Sequence, residues 1–318
     1  MIKRIYIKKI IVSSVALFAF FLIYFIPNNK EAINIKQEVE YVSMDIKTSP
    51  IYLLDQNNYL AKSEIAISGE KIEDIAEYLI TALTIGDALE DKIPSGFKAV
   101  LPSDIKILDI SYTDNLLKIN FSKDLLDTSK DMEEKIIESL IYTLTNINGI
   151  DKIMILIEGT ILTKLPQNNI ILPSTLDRNF GINKQYNVTN NKNISKTTIY
   201  YVNKYNDYEY YVPVTKIDND SRDKIEIIID ELSSRNLYKT NLMSYLNSNT
   251  KVLSVTETDE QLVIEFNDYI FNDIDTKDIL EEVIYTICLS IEDNYNVKEV
   301  IFKVENEEIY KNVVKVLE

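Results

Sequence analysis

Two apolar stretches that share the sequence Ile-Tyr-Thr decide the fold predicted for this chain. Residues 139–147 read SLIYTLTNI, and residues 282–290 read EVIYTICLS. The apolar residues in and just before each stretch recur at the spacing of one face of an α-helix. With Tyr142 aligned to Tyr285 and Thr143 to Thr286, both helices bury the same face. The sequence therefore predicts one helix that occurs twice, as in a duplicated protein.

The sequences around the two helices repeat in the same order. In both halves, runs of alternating apolar and polar residues predict half-buried strands. The corresponding pairs are LPSDIKILDI with LNSNTKVLSV (101–110 and 246–255), TDNLLKINF with TDEQLVIEF (113–121 and 258–266), and DKIMILIEG with KEVIFKVEN (151–159 and 298–306).

Each half also begins with two strand-like runs around a polar turn, followed by a helical pattern. The strand-like runs are 51–54 with 59–67 and 199–202 with 208–214, and the helical patterns are 72–84 and 224–232. This order predicts an α+β fold of two tandem units. Each unit is expected to be a small, mainly antiparallel sheet packed by two helices around its own apolar core.

The N-terminus is predicted to be a membrane anchor. Residues 10–26 form an uncharged apolar run between a basic start and Pro27. As a helix this run spans about 25 Å, within the range of membrane-spanning segments. Its bulky end offers no small-residue cleavage site, which argues against a cleaved signal. The basic side predicts a cytoplasmic N-terminus, with all that follows outside the cytoplasm.

The composition argues against most kinds of active site. The chain has no histidine, one cysteine (Cys288) and six glycines, and its formal net charge is -16. Histidine-dependent nucleophiles and phosphate-binding glycine loops are therefore absent from the sequence, and the acidic body repels nucleic acid. We expect a protein that is not an enzyme, with no catalytic residues, metal, cofactor, small-molecule ligand or nucleic-acid partner.

One hairpin of the second unit is unusually rich in tyrosine. We predict that Tyr201, Tyr205, Tyr208 and Tyr210 form a surface that binds a partner protein, because tyrosine is enriched in interfaces. The alternative is that tyrosine is abundant there only because it favours β-strands.

The stretch IPSGFKAVLPSDIKILDISYTDNLLKINF (93–121), followed by SKDLL, resembles the GerM domain of bacterial sporulation and spore germination proteins. The resemblance extends through Tyr142–Thr145 and 153–159 and covers about residues 50–315, as a tandem pair. The second unit departs from it, with Asn247 in place of proline and Asn306 in place of glycine. Many members are lipoproteins, whereas this chain has a bare apolar anchor.

The resemblance implies an extracytoplasmic assembly protein similar in fold to ring-building modules. Its expected partners are proteins of a sporulation membrane complex, including copies of itself, and in sporulating cells it would face the intermembrane space. The expected organisation is an anchor (1–27), a tether (28–48), a first domain (49–159), a linker (160–196) and a second domain (197–318).

Two other functions remain open at this point. A hydrolase of the cell wall would use two carboxylates, one of them buried so that its pKa is raised. An extracytoplasmic solute-binding protein would bind a small molecule between the two units, although the lobes of such proteins usually contain parallel α/β sheets.

Overall fold

The computed structural model of the protein describes residues 47–234 and 241–313. The predicted anchor over residues 10–26 and most of the predicted tether lie outside these residues. Within the described ranges, no helix is long and apolar enough to cross a membrane.

The first repeat follows the predicted order of elements and adds a short final strand. Its elements are β1 (Thr48–Leu54), β2 (Leu60–Ala66), α1 (Ile72–Ala82), β3 (Ile107–Thr113), β4 (Leu116–Phe121), α2 (Lys130–Leu144), β5 (Lys152–Ile157) and β6 (Thr160–Ile161). A connecting segment, residues 162–194, contains β7 (Gln185–Tyr186).

The second repeat has the same order of elements. They are β8 (Ser195–Tyr205), β9 (Tyr208–Asp218), α3 (Lys224–Leu232), β10 (Val252–Glu257), β11 (Gln261–Phe266), α4 (Glu281–Asn294), β12 (Glu299–Val304) and β13 (Glu307–Val313). The α+β class is therefore confirmed, with four α-helices in the described part of the chain.

The strands form three sheets rather than the two that were predicted. The sheets β3-β4-β5-β6 and β10-β11-β12-β13 belong to one repeat each. In both, the two middle strands are parallel because a helix crosses over between them, and the outer pairs are antiparallel. The third sheet is shared: β1 and β2 of the first repeat join β8 and β9 of the second, through the pair Lys62 and Tyr211.

The shared sheet also changes the core. The described residues, 47–234 and 241–313, form one compact unit, and their buried apolar side chains form one cluster that runs through both repeats. The expectation of a separate core in each repeat is therefore wrong. The reason is that the shared sheet packs against α2 of the first repeat and α4 of the second, so both repeats contribute to the same interior.

Helix side chains cover both edges of the shared sheet in the same way. The backbone N–H of Tyr52 in β1 donates to Oγ1 of Thr143 in α2 (3.0 Å). The N–H of Tyr200, at the equivalent position of β8, donates to Oγ of Ser290 in α4 (2.9 Å). The equivalent of Thr143 is thus Ser290, whereas the sequence alignment had assumed Thr286. That alignment was wrong by four residues.

An error of one helical turn is easy to make from sequence, because residues four apart lie on the same face of a helix. Burial shows the difference. Tyr142 is fully buried, whereas Tyr285, with which it was aligned, is 45% exposed. The shared Ile-Tyr-Thr sequence is therefore not a match of equivalent positions, although both helices belong to a duplicated unit.

This register predicts which hydroxyl in α4 matters for stability. Ser290→Ala leaves the N–H of Tyr200 without its partner and is expected to lower the free energy of unfolding by about 1–3 kcal/mol. Thr286→Val is the control, since the Thr286 hydroxyl donates only to carbonyls of its own helix. Urea denaturation of both variants tests this. A larger loss for Thr286→Val would contradict the register.

Asn306 is compatible with the turn in which it replaces glycine. Gly159 has φ +83, and Asn306 at the corresponding turn of the second repeat has φ +65. Asparagine tolerates this left-handed conformation better than most residues. The departure from the family pattern therefore leaves the β12–β13 turn the same shape as the β5–β6 turn.

Candidate interaction surface

The four tyrosines predicted as a surface do not form one. Tyr201 and Tyr210 are each only 2% exposed, Tyr205 is half-buried, and Tyr208 is 51% exposed. Tyr201 and Tyr210 are therefore removed from the predicted surface. The cause is that residues 197–203 of β8 are all buried, so that both faces of this strand are covered and alternation places no side chain outward.

A different group of tyrosines lies at the surface of the second repeat. We call it the tyrosine–glutamate face: Tyr211, Tyr245, Tyr285, Glu209 and Glu282. The rings of Tyr211 and Tyr285 are 5.7 Å apart, and the Tyr245 hydroxyl donates to Glu209 (2.7 Å). Sequence reasoning missed it because these side chains come from a strand, a loop and a helix that only the fold brings together.

The electrostatics of this face favour a basic ligand. The hydrogen bond to Glu209 raises the pKa of Tyr245 to about 12. Burial, followed by the charge of Glu282, raises the pKa of Tyr211. The phenols of Tyr211 and Tyr245 therefore stay neutral at physiological pH, beside acidic side chains. Aromatic rings next to carboxylates suit lysine or arginine side chains.

The interior of the protein holds a polar network that joins the repeats. Arg178 of the connecting segment pairs with Asp293 of α4, whose side chain is 1% exposed. The Tyr200 hydroxyl donates to the same carboxylate (2.9 Å) and lies 2.8 Å from the hydroxyl of Tyr52. Tyr52 and Tyr200 are equivalent positions of the two repeats. Equivalent residues that meet are typical of a two-fold relation between subunits.

A second polar cluster holds the connecting segment on α2. Lys184 is nearly buried and pairs with Glu134 (2.6 Å) and Glu138 (3.4 Å). The backbone N–H of Asn183 donates to the other oxygen of Glu138 (2.9 Å). Glu133, also buried, accepts from the N–H groups of Gln167 and Asn168. These carboxylates therefore bind the protein's own donors, which is typical of a structural role.

Burial raises the pKa of Glu138 to about 7, despite the opposing effects of Lys184 and the Asn183 amide. The Glu138 carboxyl therefore stays protonated in the folded protein between about pH 4.5 and 7, whereas in the unfolded chain it is ionised over this range. The contribution of Glu138 to the free energy of unfolding is therefore fully present below that range and is lost as the pH rises through 7.

We expect the contribution of Glu138 to decline by about 2–3 kcal/mol over this range. The measurement is the free energy of unfolding in urea from pH 4.5 to 8, for the protein and for Glu138→Gln. Their difference should change with pH as the Glu138 contribution is lost. Parallel curves for the two proteins would show that Glu138 has an ordinary pKa.

Two other surface features are open to partners. The connecting segment lines a groove of about 600 Å³, beside which Ile171 and Tyr186 are 81% and 68% exposed. The edge strands β3 and β10 each contain a β-bulge, at Leu108 and at Leu253. These two leucines are equivalent positions and are 51% and 62% exposed. In the described residues, no group of carboxylates and thiols is arranged to hold a metal ion.

These observations define the class of the protein: an α+β protein built from tandem copies of one module, with the two copies interlocked through a shared sheet. The chain belongs to the Germane family, described as "Sporulation and spore germination", whose model matches residues 50–163 and 198–310. The resemblance to GerM domains seen in the sequence is thereby confirmed.

Individual relatives agree with this assignment. The spore germination protein GerM of Bacillus subtilis (strain 168) is 33% identical over 260 residues, which cover 80% of this chain and 70% of that protein. A solved structure of the tandem GerMN domains of the sporulation protein GerM from Bacillus subtilis matches with a TM-score of 0.73. It is 29% identical, and the match covers 82% of this chain and 92% of that one.

Proposed function

We propose that this protein is a membrane-anchored, extracytoplasmic interaction protein of sporulation or spore germination. It would assemble with partner proteins at the forespore membrane interface and catalyse no reaction. The family match and the similarity to a spore germination protein support the process. The structural role of the buried carboxylates supports binding rather than catalysis.

The proposed topology follows from the sequence. Residues 10–26 would cross the membrane once, with the basic N-terminus in the cytoplasm and both repeats outside. In sporulating cells the repeats would lie in the space between the two membranes. Protease added to intact protoplasts tests this topology. It should digest both repeats, whereas their protection would place them in the cytoplasm.

The two bulged edge strands are the observation that carries the proposed assembly. A bulge bends an edge strand and redirects a side chain, and such bulges are retained features rather than defects. Here the same bulge presents a leucine at the same position of each repeat. A module that exposes one apolar side chain beside an open strand edge could pack against a neighbouring module, as a ring-building protein would.

Cross-linking in sporulating cells tests this role. The double variant Leu108→Asp/Leu253→Asp should lose cross-links to other proteins while it stays folded, because both positions are exposed. Ile274→Asp, at a 63% exposed position of the second repeat, is the matched control and should keep them. Unchanged cross-links and normal sporulation in the double variant would contradict assembly through these edges.

A further inference from the structure

The tyrosine–glutamate face brings aromatic rings and carboxylates together at the surface of the second repeat. Tyr245 and Tyr285 are 41% and 45% exposed. Burial raises the pKa of Tyr211, and the charges of Glu282 and Glu281 raise it further. Glu281 therefore lies beside the face, next to Glu282. The surface thus combines exposed rings with several carboxylates.

The carboxylates of this face have little counter-charge. Within residues 47–234 and 241–313, neither Glu281 nor Glu282 pairs with a lysine or arginine. Glu209 is 3.8 Å from the ammonium of Lys204. Glu281 and Glu282 stand in the first turn of α4, where carboxylates favour the helix. That position explains why they suit the helix, but it supplies no cation to the rings beside them.

The equivalent of Glu281 in the first repeat, Glu134 of α2, is paired with a cation. The Lys184 ammonium pairs with Glu134 (2.6 Å) and with Glu138, one turn further along the helix (3.4 Å). The same ammonium lies 3.3 Å from the centre of the Phe180 ring. The first repeat therefore already places a cation between carboxylates and an aromatic ring. The second repeat has carboxylates and rings without the cation.

The second repeat offers side chains rather than strand backbone for such a contact. In the first repeat the connecting segment also binds backbone, since the Asn183 side chain bonds both backbone groups of Leu60. In the second repeat the corresponding strand residue, Tyr211, is already bridged to Lys62. An arginine side chain suits what remains, because its planar guanidinium stacks on aromatic rings and pairs bidentately with carboxylates.

We propose that the tyrosine–glutamate face binds an arginine-bearing segment of a partner protein. The guanidinium would stack on the rings of Tyr211 and Tyr285 and pair with Glu282. The occupant is a different protein rather than a second copy of this one. Both arginines of the described residues, Arg178 and Arg222, already pair with carboxylates of their own chain. The net charge of -16 also makes two copies repel each other.

NMR of the protein with isotopically labelled tyrosine rings tests the proposal. The probe is the peptide acetyl-Gly-Arg-Gly-Arg-Gly-amide in about 0.15 M salt, where the Debye length is about 8 Å and long-range attraction to the acidic protein is screened. The peptide should shift the ring signals of Tyr211, Tyr245 and Tyr285 saturably. Tyr186 is the internal control and should not shift, because it is exposed but the carboxylates beside it already pair with Lys184.

Two double variants separate the face from the overall charge of the protein. Glu281→Gln/Glu282→Gln should weaken binding of the peptide by about fivefold, because it removes two carboxylates of the site. Tyr285→Ala should weaken it by about threefold through the loss of one ring. The matched control is Glu73→Gln/Asp74→Asn, which removes the same charge from the first turn of α1 and should leave binding unchanged.

Equal weakening by the two double variants, shifts of Tyr186 as large as those of the face, or no saturable shift would overturn the proposal. So would shifts of the Tyr285 ring on dilution without peptide, which would identify a second copy as the occupant. The inference rests on the proposed function, because the occupant is a partner protein, but it concerns a different surface from the bulged strands. Leu108→Asp/Leu253→Asp should therefore bind the peptide normally, so that failure of assembly through those edges and failure of this face are measured separately.

Discussion

Asp293→Ala is expected to lower the free energy of unfolding by about 3–5 kcal/mol, the usual cost of removing one partner of a buried ion pair. The carboxylate is 1% exposed, and it pairs with Arg178 and accepts the hydroxyl of Tyr200. Its loss leaves a guanidinium without its counter-charge and a buried phenol without its acceptor. Urea denaturation followed by circular dichroism measures the effect.

The double variant Arg178→Met/Asp293→Leu identifies the cause. If the cost comes from the unpaired charge, the double variant should be more stable than the sum of the two single variants predicts. Asp220, which pairs with Arg222 at the surface, provides a control, because Asp220→Ala should cost less than about 1 kcal/mol. Equal losses in the free energy of unfolding for Asp293→Ala and Asp220→Ala would contradict the inference that the buried ion pair of Arg178 and Asp293 holds the two repeats together.

Asn183→Ala is expected to cost about 2–4 kcal/mol, because it removes three hydrogen bonds to the backbone of two strands at once. Those strands, β2 and β9, belong to different repeats and share only the single bridge between Lys62 and Tyr211. The Asn183 side chain thus joins the halves of the shared sheet where their backbones do not pair. The loss should appear in urea denaturation.

Two further variants separate the hydrogen bonds from backbone strain. Asn183 has φ +46, a conformation that alanine adopts at some cost and glycine at none. Compared with Asn183→Ala, Asn183→Gly should therefore regain only the free energy that alanine loses to backbone strain. The cost of the missing hydrogen bonds should remain. Asn187→Ala, at an exposed position nearby, should be close to neutral. A fully stable Asn183→Gly would show that the side chain does not join the repeats.

The order of elements could be read from the sequence because each element carries its own pattern. The helical pattern at 224–232 coincides with α3, and the pattern at 72–84 extends only two residues beyond α1. The duplication was equally clear, since alternation is kept in three pairs of strands. Local periodicity determined these features, and tertiary contacts did not override it.

The pairing of the hairpins could not be read from the sequence. Nothing in β2 or β9 specifies that they meet each other rather than the remaining strands of their own repeats. The single bridge between Lys62 and Tyr211 and the side chain of Asn183 make that connection. Asn183 lies 123 positions from Leu60, with which it bonds, so no local pattern specifies the contact. The helix register failed for a related reason: it is fixed by the hydrogen bonds of Thr143 and Ser290 to strands far away in sequence.

The tyrosine prediction failed at Tyr201 and Tyr210 because β8 is covered on both faces. Composition indicates that a hairpin is rich in tyrosine but not which side chains point outward. The exposed tyrosines that do meet, Tyr211, Tyr245 and Tyr285, are separated by 34 and 40 positions in the sequence. Only the fold brings them next to each other.

The interlocking of the two repeats fixes their relative orientation. Two independent modules on a linker would each present their surfaces in any relative orientation. Two modules that share a sheet, a core and a buried ion pair hold Leu108 and Leu253 in a fixed relation. A fixed relation between two equivalent contacts is what a regular assembly requires.

Calorimetric unfolding of the protein and of Asp293→Ala tests this interlocking most directly. If the repeats form one body, a single transition should unfold both, with equal calorimetric and van't Hoff enthalpies. The substitution should move that whole transition to lower temperature. Two separate transitions, only one of which responds to Asp293→Ala, would show that the repeats fold independently and would contradict the account.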